Sequence, residues 1–465
     1  MTGMAARPAR VLVEGEGLHG GARAMAMFAV ALSVLLSVLD YAIANVALPT
    51  IARDIHATPS SSIWVINAYQ LASVSTLLPL ASLGARVGFA RLCRIGLATF
   101  VVASVLCAMS HTLLELALAR ALQGVGGACI MSVNIALVRF IYPHAEIGKG
   151  ISLNGVVVAT GVALGPTIAS AVLSVANWPW IFLINLPLGG AAMLAALFYL
   201  PHTPRSERPF DLTSAALNVV AFGGLIVGLD SLVHRTGPAL AVWLLLAGAG
   251  AFVQLARRQA GRPDPMLPID LLAVPDFLVA FGVGFGAFIA SNFFIISMPF
   301  TLEAVLHRSA VATGLLITPW PVGIVLIAPF VGRVADRIPA GVLSSIGLCV
   351  TGTGFVLLCF LTPEASNLDI AWRIGVAGVG FGIFQPPNNR AMMVSAPHGR
   401  SGSASGMVSV ARLSGQTMGA MFVALTFGFV VHDPTLRCLE LAAVFAYLSA
   451  LLSAGRLVKP RTRAS

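Results

Sequence analysis

The chain has 465 residues, of which 57% are apolar and only 10% charged, with a formal net charge of +10. Soluble domains carry about 25% charged residues, so the composition excludes one. It also assigns the basic excess to short loops between apolar spans rather than to a nucleic-acid surface.

A helix of about 20 mostly apolar residues crosses a bilayer. On that scale the sequence predicts fourteen spans, near 25–48, 62–83, 93–110, 113–137, 150–175, 180–200, 212–234, 239–256, 276–302, 312–332, 341–361, 371–392, 404–430 and 438–457. With a cytoplasmic N-terminus, only Arg53, Arg235, Arg308, Arg373 and Arg437 of the 28 Lys and Arg residues fall outside, and Arg120 and Arg412 fall within spans. That bias fixes both termini in the cytoplasm and the loop at His234, Arg235 and Thr236 outside. The second span runs into Gly84-Ala85-Arg86-Val87-Gly88 and the tenth into Gly332-Arg333-Val334-Ala335-Asp336-Arg337. Two sets of six helices with an extra hairpin at 212–256 account for this repetition, an internal symmetry typical of secondary transporters.

The first span holds Asp40 within Leu39-Asp40-Tyr41-Ala42-Ile43-Ala44-Asn45. An acid inside a span is costly and marks a functional site by default. Asp40 lies roughly 12 Å from the outer end of its span at 1.5 Å per residue. Arg120 reaches a similar depth in the fourth span, so the two are expected to pair, directly or through water. Asp40 is then a proton-binding group with Arg120 as counter-charge; the competing reading is a static buried pair that fixes packing, with Arg120 tethered to backbone carbonyls. Gly161, Gly165 and Pro166 in the fifth span allow close helix approach and a kink, for gating or for plain packing.

Asn45, Asn67, Gln70, Gln123 and Gln385 are candidate cavity-lining polar groups, whereas Asn388 and Asn389 fit a helix boundary. Phe294 and Met298, with Phe293 and Phe300, offer an adaptable apolar substrate wall or lipid-facing bulk. Arg412 has a side chain long enough to snorkel to the cytoplasmic interface. The six cysteines form no CxxC pair and support neither a metal site nor a disulfide framework. No GxxxxGK[ST] loop occurs, which argues against ATP-driven work and for a gradient.

These segments resemble the major facilitator superfamily, and within it the fourteen-helix drug:proton antiporters of the DHA2 group. The resemblance is carried by Leu39-Asp40 through Asn45-Val46-Ala47-Leu48-Pro49, and by Leu118-Ala119-Arg120-Ala121-Leu122-Gln123-Gly124-Val125-Gly126-Gly127-Ala128. It extends to Gly161-Val162-Ala163-Leu164-Gly165-Pro166, Trp180-Ile181-Phe182-Leu183-Ile184-Asn185-Leu186-Pro187, Ser401 to Met407, and Arg412-Leu413-Ser414-Gly415-Gln416. It implies an all-α integral membrane protein with six-helix halves at 25–200 and 276–457. A linker at 201–275 would carry two extra transmembrane helices, and segments 1–24 and 458–465 would be cytoplasmic. It further implies a proton-coupled exporter of lipophilic compounds, cationic ones included, in a bacterial inner membrane. Its partners would be small-molecule substrates, protons and lipid, not nucleic acid; it would act as a monomer, without enzymatic activity, cofactor or metal.

Under the same resemblance Asp40 and Arg120 couple the proton, and Gly161, Gly165 and Pro166 form the antiporter motif. Arg86, Gly88, Gly332, Asp336 and Arg337 form a cytoplasmic latch. Ala85 stands where the group carries an Asp, which leaves Asp336 to serve the latch alone; Phe89, Ala90, Thr167 to Ser170, and Pro179 are further departures. A dedicated exporter of one endogenous metabolite or antibiotic fits the same motifs. A membrane sensor or a channel fits less well.

Overall fold

A computed structural model describes residues 16–143, 146–206, 210–233, 237–260, 262, 265, 267–335, 337–397 and 400–458. The outer loop at His234 to Thr236 and the latch residue Asp336 lie outside the described residues. Fourteen helical rods run through the rest: α1 (Gly20–Asp54), α2 (Pro59–Val87), α3 (Phe89–Ala108), α4 (Leu113–Ile141) and α5 (Ile147–Val175). α6 follows in two pieces, Pro179–Leu183 and Asn185–Tyr199, then α7 (Leu212–Val233), α8 (Pro238–Gln259), α9 (Pro275–Val305) and α10 (Ala310–Val334). The last four are α11 (Ala340–Cys359), α12 (Asn367–Ser395), α13 (Ser401–Phe429) and α14 (Pro434–Val458).

Local chemistry sets the helix ends. Thr112 and Glu115 form a reciprocal capping box at the start of α4, and Ser309 and Ser366 cap α10 and α12 through their hydroxyls. α10 breaks at Thr318 because Pro319 has no N–H to continue the ladder, and Pro299 precedes a π-helical turn, Thr301–Val305, that closes α9.

Twelve rods are long and apolar enough among the described residues to cross a membrane; α12 and α13 are not among them. Both have 29 residues, ample length at 1.5 Å per residue. α12 runs unbroken to Ser395, so Asn388 lies inside a helix, donating to the Ala280 carbonyl at 3.0 Å, and not at the loop boundary expected for it.

The first six rods pack around α1, the last six around α9. Equivalent glycine crossings build the two groups. A Cβ on Gly124 would lie 2.3 Å from the Tyr69 carbonyl oxygen, and one on Gly378 lies 2.2 Å from that of Trp320. Two residues on, Gly126 meets Gly96 in α3 and Gly380 meets Gly347 in α11, again backbone to backbone. The α7–α8 pair lies against α2 and α13: Asn218 donates to the Ser75 carbonyl at 2.6 Å, and Ile226 packs on Met421.

α5 and α10 close on each other at one end only. There α5 meets α10 where a Cβ on Gly314 would strike Ser170 and the Pro166 carbonyl. Ser170 donates to the Val311 carbonyl at 2.9 Å, and Arg53 at the end of α1 pairs with Glu303 at the end of α9 at 2.8 Å. Towards the opposite, basic end the same helices part: Gly148 and Gly155 of α5 and Gly332 of α10 have no neighbour a Cβ would touch. A cavity of about 1130 Å³ opens at that basic end, lined by α2, α4, the segment before α7, the end of α8 and the start of α13.

Candidate functional site

Asp40 is enclosed within the first six-helix group. Arg120 of α4 donates from Nη1 to Asp40 Oδ2 at 2.6 Å, so the expected pair is direct. Gln123, one turn along α4, donates to Asp40 Oδ1 at 2.8 Å, and Asn185 at the start of the long piece of α6 donates to the same oxygen at 2.7 Å. Both amides also reach the Ser104 hydroxyl of α3, and Gln123 Oε1 accepts from Arg120 at 2.5 Å. Arg120 Nε donates to the Val65 carbonyl of α2 at 3.0 Å. The guanidinium carbon lies 4.5 Å from the Tyr69 ring centroid, a cation–π contact beside an otherwise unpaired Nη2. Asp40 is 2% exposed and Arg120 fully buried, so water does not reach the pair. Charge-assisted bonds of this kind are strong in a low-dielectric site, and they tie four helices to one carboxylate.

The next residue, Tyr41, points the other way. Its hydroxyl donates to Asn292 of α9 at 2.9 Å and accepts from Gln70 of α2 at 2.9 Å; Asn292 in turn donates to the Gln416 carbonyl of α13. Successive residues on α1 therefore touch the enclosed carboxylate on one side and a junction between the two helix groups on the other.

The fifth-helix motif packs on this same stretch of α1. A Cβ on Gly165 would lie 2.3 Å from that of Ala42, and one on Gly161 would lie 3.1 Å from Val38. Pro166 faces α10 through its carbonyl, as described above. The motif thus sits where α1, α5 and α10 meet.

The residues proposed for the cavity separate. Gln123 holds Asp40. Asn45 donates to the Tyr41 carbonyl at 2.7 Å within α1. Phe294 and Met298 are fully buried in the second group, where Phe294 lies 4.9 Å from Trp320 and 5.5 Å from Phe355. They form neither a cavity wall nor lipid-facing bulk here, because the ring cluster fills the centre of that group. Gln385 is partly exposed on α12. Asn67 and Gln70 are buried, with both amide atoms of Asn67 and Oε1 of Gln70 unpaired.

Among the described latch residues, Arg86, Gly88, Gly332 and Arg337, no hydrogen bond or ion pair joins the two loops. Arg86 and Arg337 are exposed, and Gly88 closes α2 with φ 99°, a conformation that favours glycine. The first loop is instead held by the segment before α7: Thr203 accepts from Phe89 N–H at 3.1 Å, and Ala85 offers its carbonyl to Ser206 N–H at 2.8 Å. Sequence reasoning missed Ser104, Asn292 and Tyr41. Asn185 was visible only as part of a quoted motif. No pattern distinguishes a buried serine such as Ser104 from many others in the spans.

Residues 30–420 match the Major Facilitator Superfamily. The chain belongs to this superfamily. The uncharacterized transporter YebQ of Escherichia coli (strain K12) is 44% identical over 454 residues, covering 97% of this chain and 99% of YebQ. The riboflavin transporter RibZ of Clostridioides difficile (strain 630) is 27% identical over 86% of this chain and 87% of RibZ. The multidrug resistance protein Stp of Mycobacterium tuberculosis (strain CDC 1551 / Oshkosh) is 28% identical over 85% and 74%. A solved POT family transporter in complex with 5-aminolevulinic acid superposes with a TM-score of 0.73 at 14% identity, over 96% of this chain and 99% of that one. That likeness shows the fold.

Within this major facilitator fold the two halves differ in chemistry. Counting back equally from Gly126 and Gly380, Arg120 of the first half stands where Ile374 stands in the second. Counting on equally from Gly96 and Gly347, Ser104 stands where Phe355 stands. One half encloses a charged pair at the site where the other encloses stacked rings.

Proposed function

We propose that this transporter is a proton-coupled secondary exporter of lipophilic small molecules that works by alternating access. On this reading it is a fourteen-helix antiporter of the DHA2 group. α7 and α8 are then an insertion between two six-helix halves, the basic end and both termini face the cytoplasm of a bacterial cell, and a monomer in lipid suffices. The cage around Asp40 carries the reading. An ionised Asp40 accepts three strong bonds from α4 and α6; a proton on the carboxyl removes the charge that Arg120 answers and loosens that tie. Because Tyr41 is the adjacent residue, loosening Asp40 frees α1 to shift at the junction with α9 and α13. A bound proton thereby favours a different arrangement of the halves, which is the differential interaction that a two-state device needs.

The arrangement described here, open at the basic end and closed at the other, is the inward-facing state with Asp40 ionised. Export requires the opposite state to form with substrate bound; there Asp40 takes a proton from outside as substrate leaves, and releases it at the basic end when the inward-facing state re-forms. A dedicated exporter of a single metabolite uses the same parts, and the mixed names of the relatives keep that second reading open.

The test is transport by proteoliposomes with an imposed pH gradient and a panel of lipophilic dyes and antibiotics. Asp40→Asn keeps the shape and removes titration, so it should abolish gradient-driven movement while the protein remains folded and inserted. Gradient-driven transport at the wild-type rate by this variant would remove Asp40 from the coupling. Arg120→Lys should also be impaired, since an ammonium cannot reproduce the guanidinium's simultaneous bonds to Asp40, Gln123 and Val65.

A further inference from the structure

Arg412 is the second arginine within the spans, and the Asp40 cage does not use it. It lies on α13 with Ser405, Ser409 and Gln416 at helical spacing on one face, and Ser405 and Ser409 line the open cavity. Arg412 therefore continues that lining inwards by one turn. Its side chain lies within electrostatic reach of Tyr41 and Tyr69 at the centre of the molecule and does not snorkel to the basic end. It is partly buried and makes no hydrogen bond or ion pair among the described residues. Arg120, in contrast, is answered by Asp40.

The surrounding chemistry has one sign. On α2, the cavity-lining Leu78 and Ala81 continue inwards at helical spacing to Gln70 and Asn67, the two buried amides with unpaired atoms. Apart from Asp40, the described carboxylates on the helices around it stand at or near helix ends: Asp54, Glu115, Asp276, Glu303 and Asp369, with Asp230 near the end of α7. Among the described residues the cavity mouth is lined by Arg86, Arg139, Arg258, Arg262 and Asp211, with Arg258 and Arg262 paired to Asp211. A guanidinium inside a span without a counter-charge is costly, and a cationic mouth draws anions inwards. Leu77, Leu78, Met131 and Ile135 supply an apolar wall between mouth and centre.

We propose that the cavity at the basic end, continued inwards to Arg412, binds amphipathic organic anions, with the carboxylate or sulfonate on Arg412 and the apolar body against α2 and α4. This rests on the exporter reading and gives its substrate class; it turns away from the cations expected from sequence, for which no acidic side chain is free among the described residues that line the cavity.

The test uses the full-length protein in lipid nanodiscs and four probes that share one ring system: 2-naphthoate, naphthalene-2-sulfonate, neutral 2-naphthamide and the cation (2-naphthylmethyl)trimethylammonium. Binding is read as protection against thermal unfolding. The two anions should stabilise the wild type, and the amide and the ammonium should not. Arg412→Gln should raise the apparent Kd of the anions about thirtyfold or more, as expected for loss of one partner of a desolvated charge pair. Arg412→Lys should retain part of the affinity, and with the wild-type charge series it decides the matter even if Arg412→Gln fails to fold. Equal stabilisation by all four probes, stabilisation by none, or unchanged anion affinity in Arg412→Gln overturns the proposal. The two readings fail separately. Arg412-dependent anion binding without gradient-driven transport sinks the exporter; gradient-driven transport without charge preference sinks the anion site.

Discussion

The Asp40–Arg120 pair makes a sharp energetic prediction. Asp40→Asn removes the charge that answers a fully buried guanidinium, leaving Arg120 with Val65 and Gln123 as acceptors and Tyr69 as a π-face. The asparagine also brings an N–H₂ group into a site whose neighbours Gln123 and Asn185 already point N–H groups at it. Breaking a buried pair from one side typically costs about 3–5 kcal/mol. Against a total stability of about 5–15 kcal/mol the variant still folds, with a clearly lowered midpoint. Arg120→Gln alone leaves Asp40 ionised with two amide donors and should cost a similar amount. The double variant Asp40→Asn/Arg120→Gln leaves no buried charge, so its cost should fall well below the sum of the singles, by about 2 kcal/mol or more of coupling. Thermal unfolding of the four proteins in one detergent gives the cycle. Additive single effects would refute the enclosed, charge-paired geometry, whatever the transport assays show.

Three further outcomes follow from other contacts. Gly165→Ala puts a Cβ 2.3 Å from that of Ala42, an overpacking worth about 1–3 kcal/mol; stability and transport should fall together and recover in Gly165→Ala/Ala42→Gly, and a lack of recovery in both would disprove this crossing. Glu303→Gln removes the carboxylate that meets Arg53 between the halves and should increase labelling of a cysteine placed at Ala424, now 1% exposed, about fivefold or more; unchanged labelling would show that the pair does not hold that end shut. Asp211 caps α7 through Ser214 and binds Arg258 and Arg262. Burial opposes its ionisation, but the bonds from Ser214 and the two arginines outweigh this and hold its carboxyl well below the usual carboxylate range. Its stabilisation is therefore present above the unfolded value of about 3.9 and lost as the pH falls towards the folded value. Asp211→Ala should cost about 1 kcal/mol at pH 7, with the gap to wild type constant from pH 8 to 5 and shrinking below about pH 4; a gap that widens in acid would contradict the assignment.

Helix number and much of the charged site were legible because hydrocarbon imposes a strict rule: apolar length marks a span, and a lone acid inside one marks a site. Asp40 and Arg120 could be placed at similar depth by counting residues. Their amide partners could not, because a glutamine such as Gln123 looks the same in sequence whether it faces a cavity or a carboxylate. Phe294 and Met298 were misplaced for a related reason. In a chain that is 57% apolar the hydrophobic pattern does not separate lipid-facing, cavity-facing and core positions, and only the ring contacts with Trp320 and Phe355 settle them. The polarity of α12 and α13, which keeps them out of the set long and apolar enough to cross a membrane, was hidden within spans drawn by length.

The unequal chemistry of the halves bears on how one proton could move a whole molecule. If both halves held a charged pair at equivalent depth, protonation of either would be opposed by the tie in the other. Here the second half holds stacked rings at the matching position, the Phe294, Trp320 and Phe355 cluster, and rings do not titrate. Under the proposed coupling the change of charge falls on α1 and the helices that grip Asp40. α1 is also the helix whose Tyr41 crosses to α9 and whose Ala42 is pinned by Gly165. Under the proposed mechanism a local loss of charge is therefore passed on as a shift of one helix against a rigid partner, and the tight α1–α5 contact carries that shift to the α5–α10 seam. Under the same two proposals a substrate anion on Arg412 enters the balance from the opposite side of the Tyr41 junction, so proton and substrate act on one movable element without having to touch.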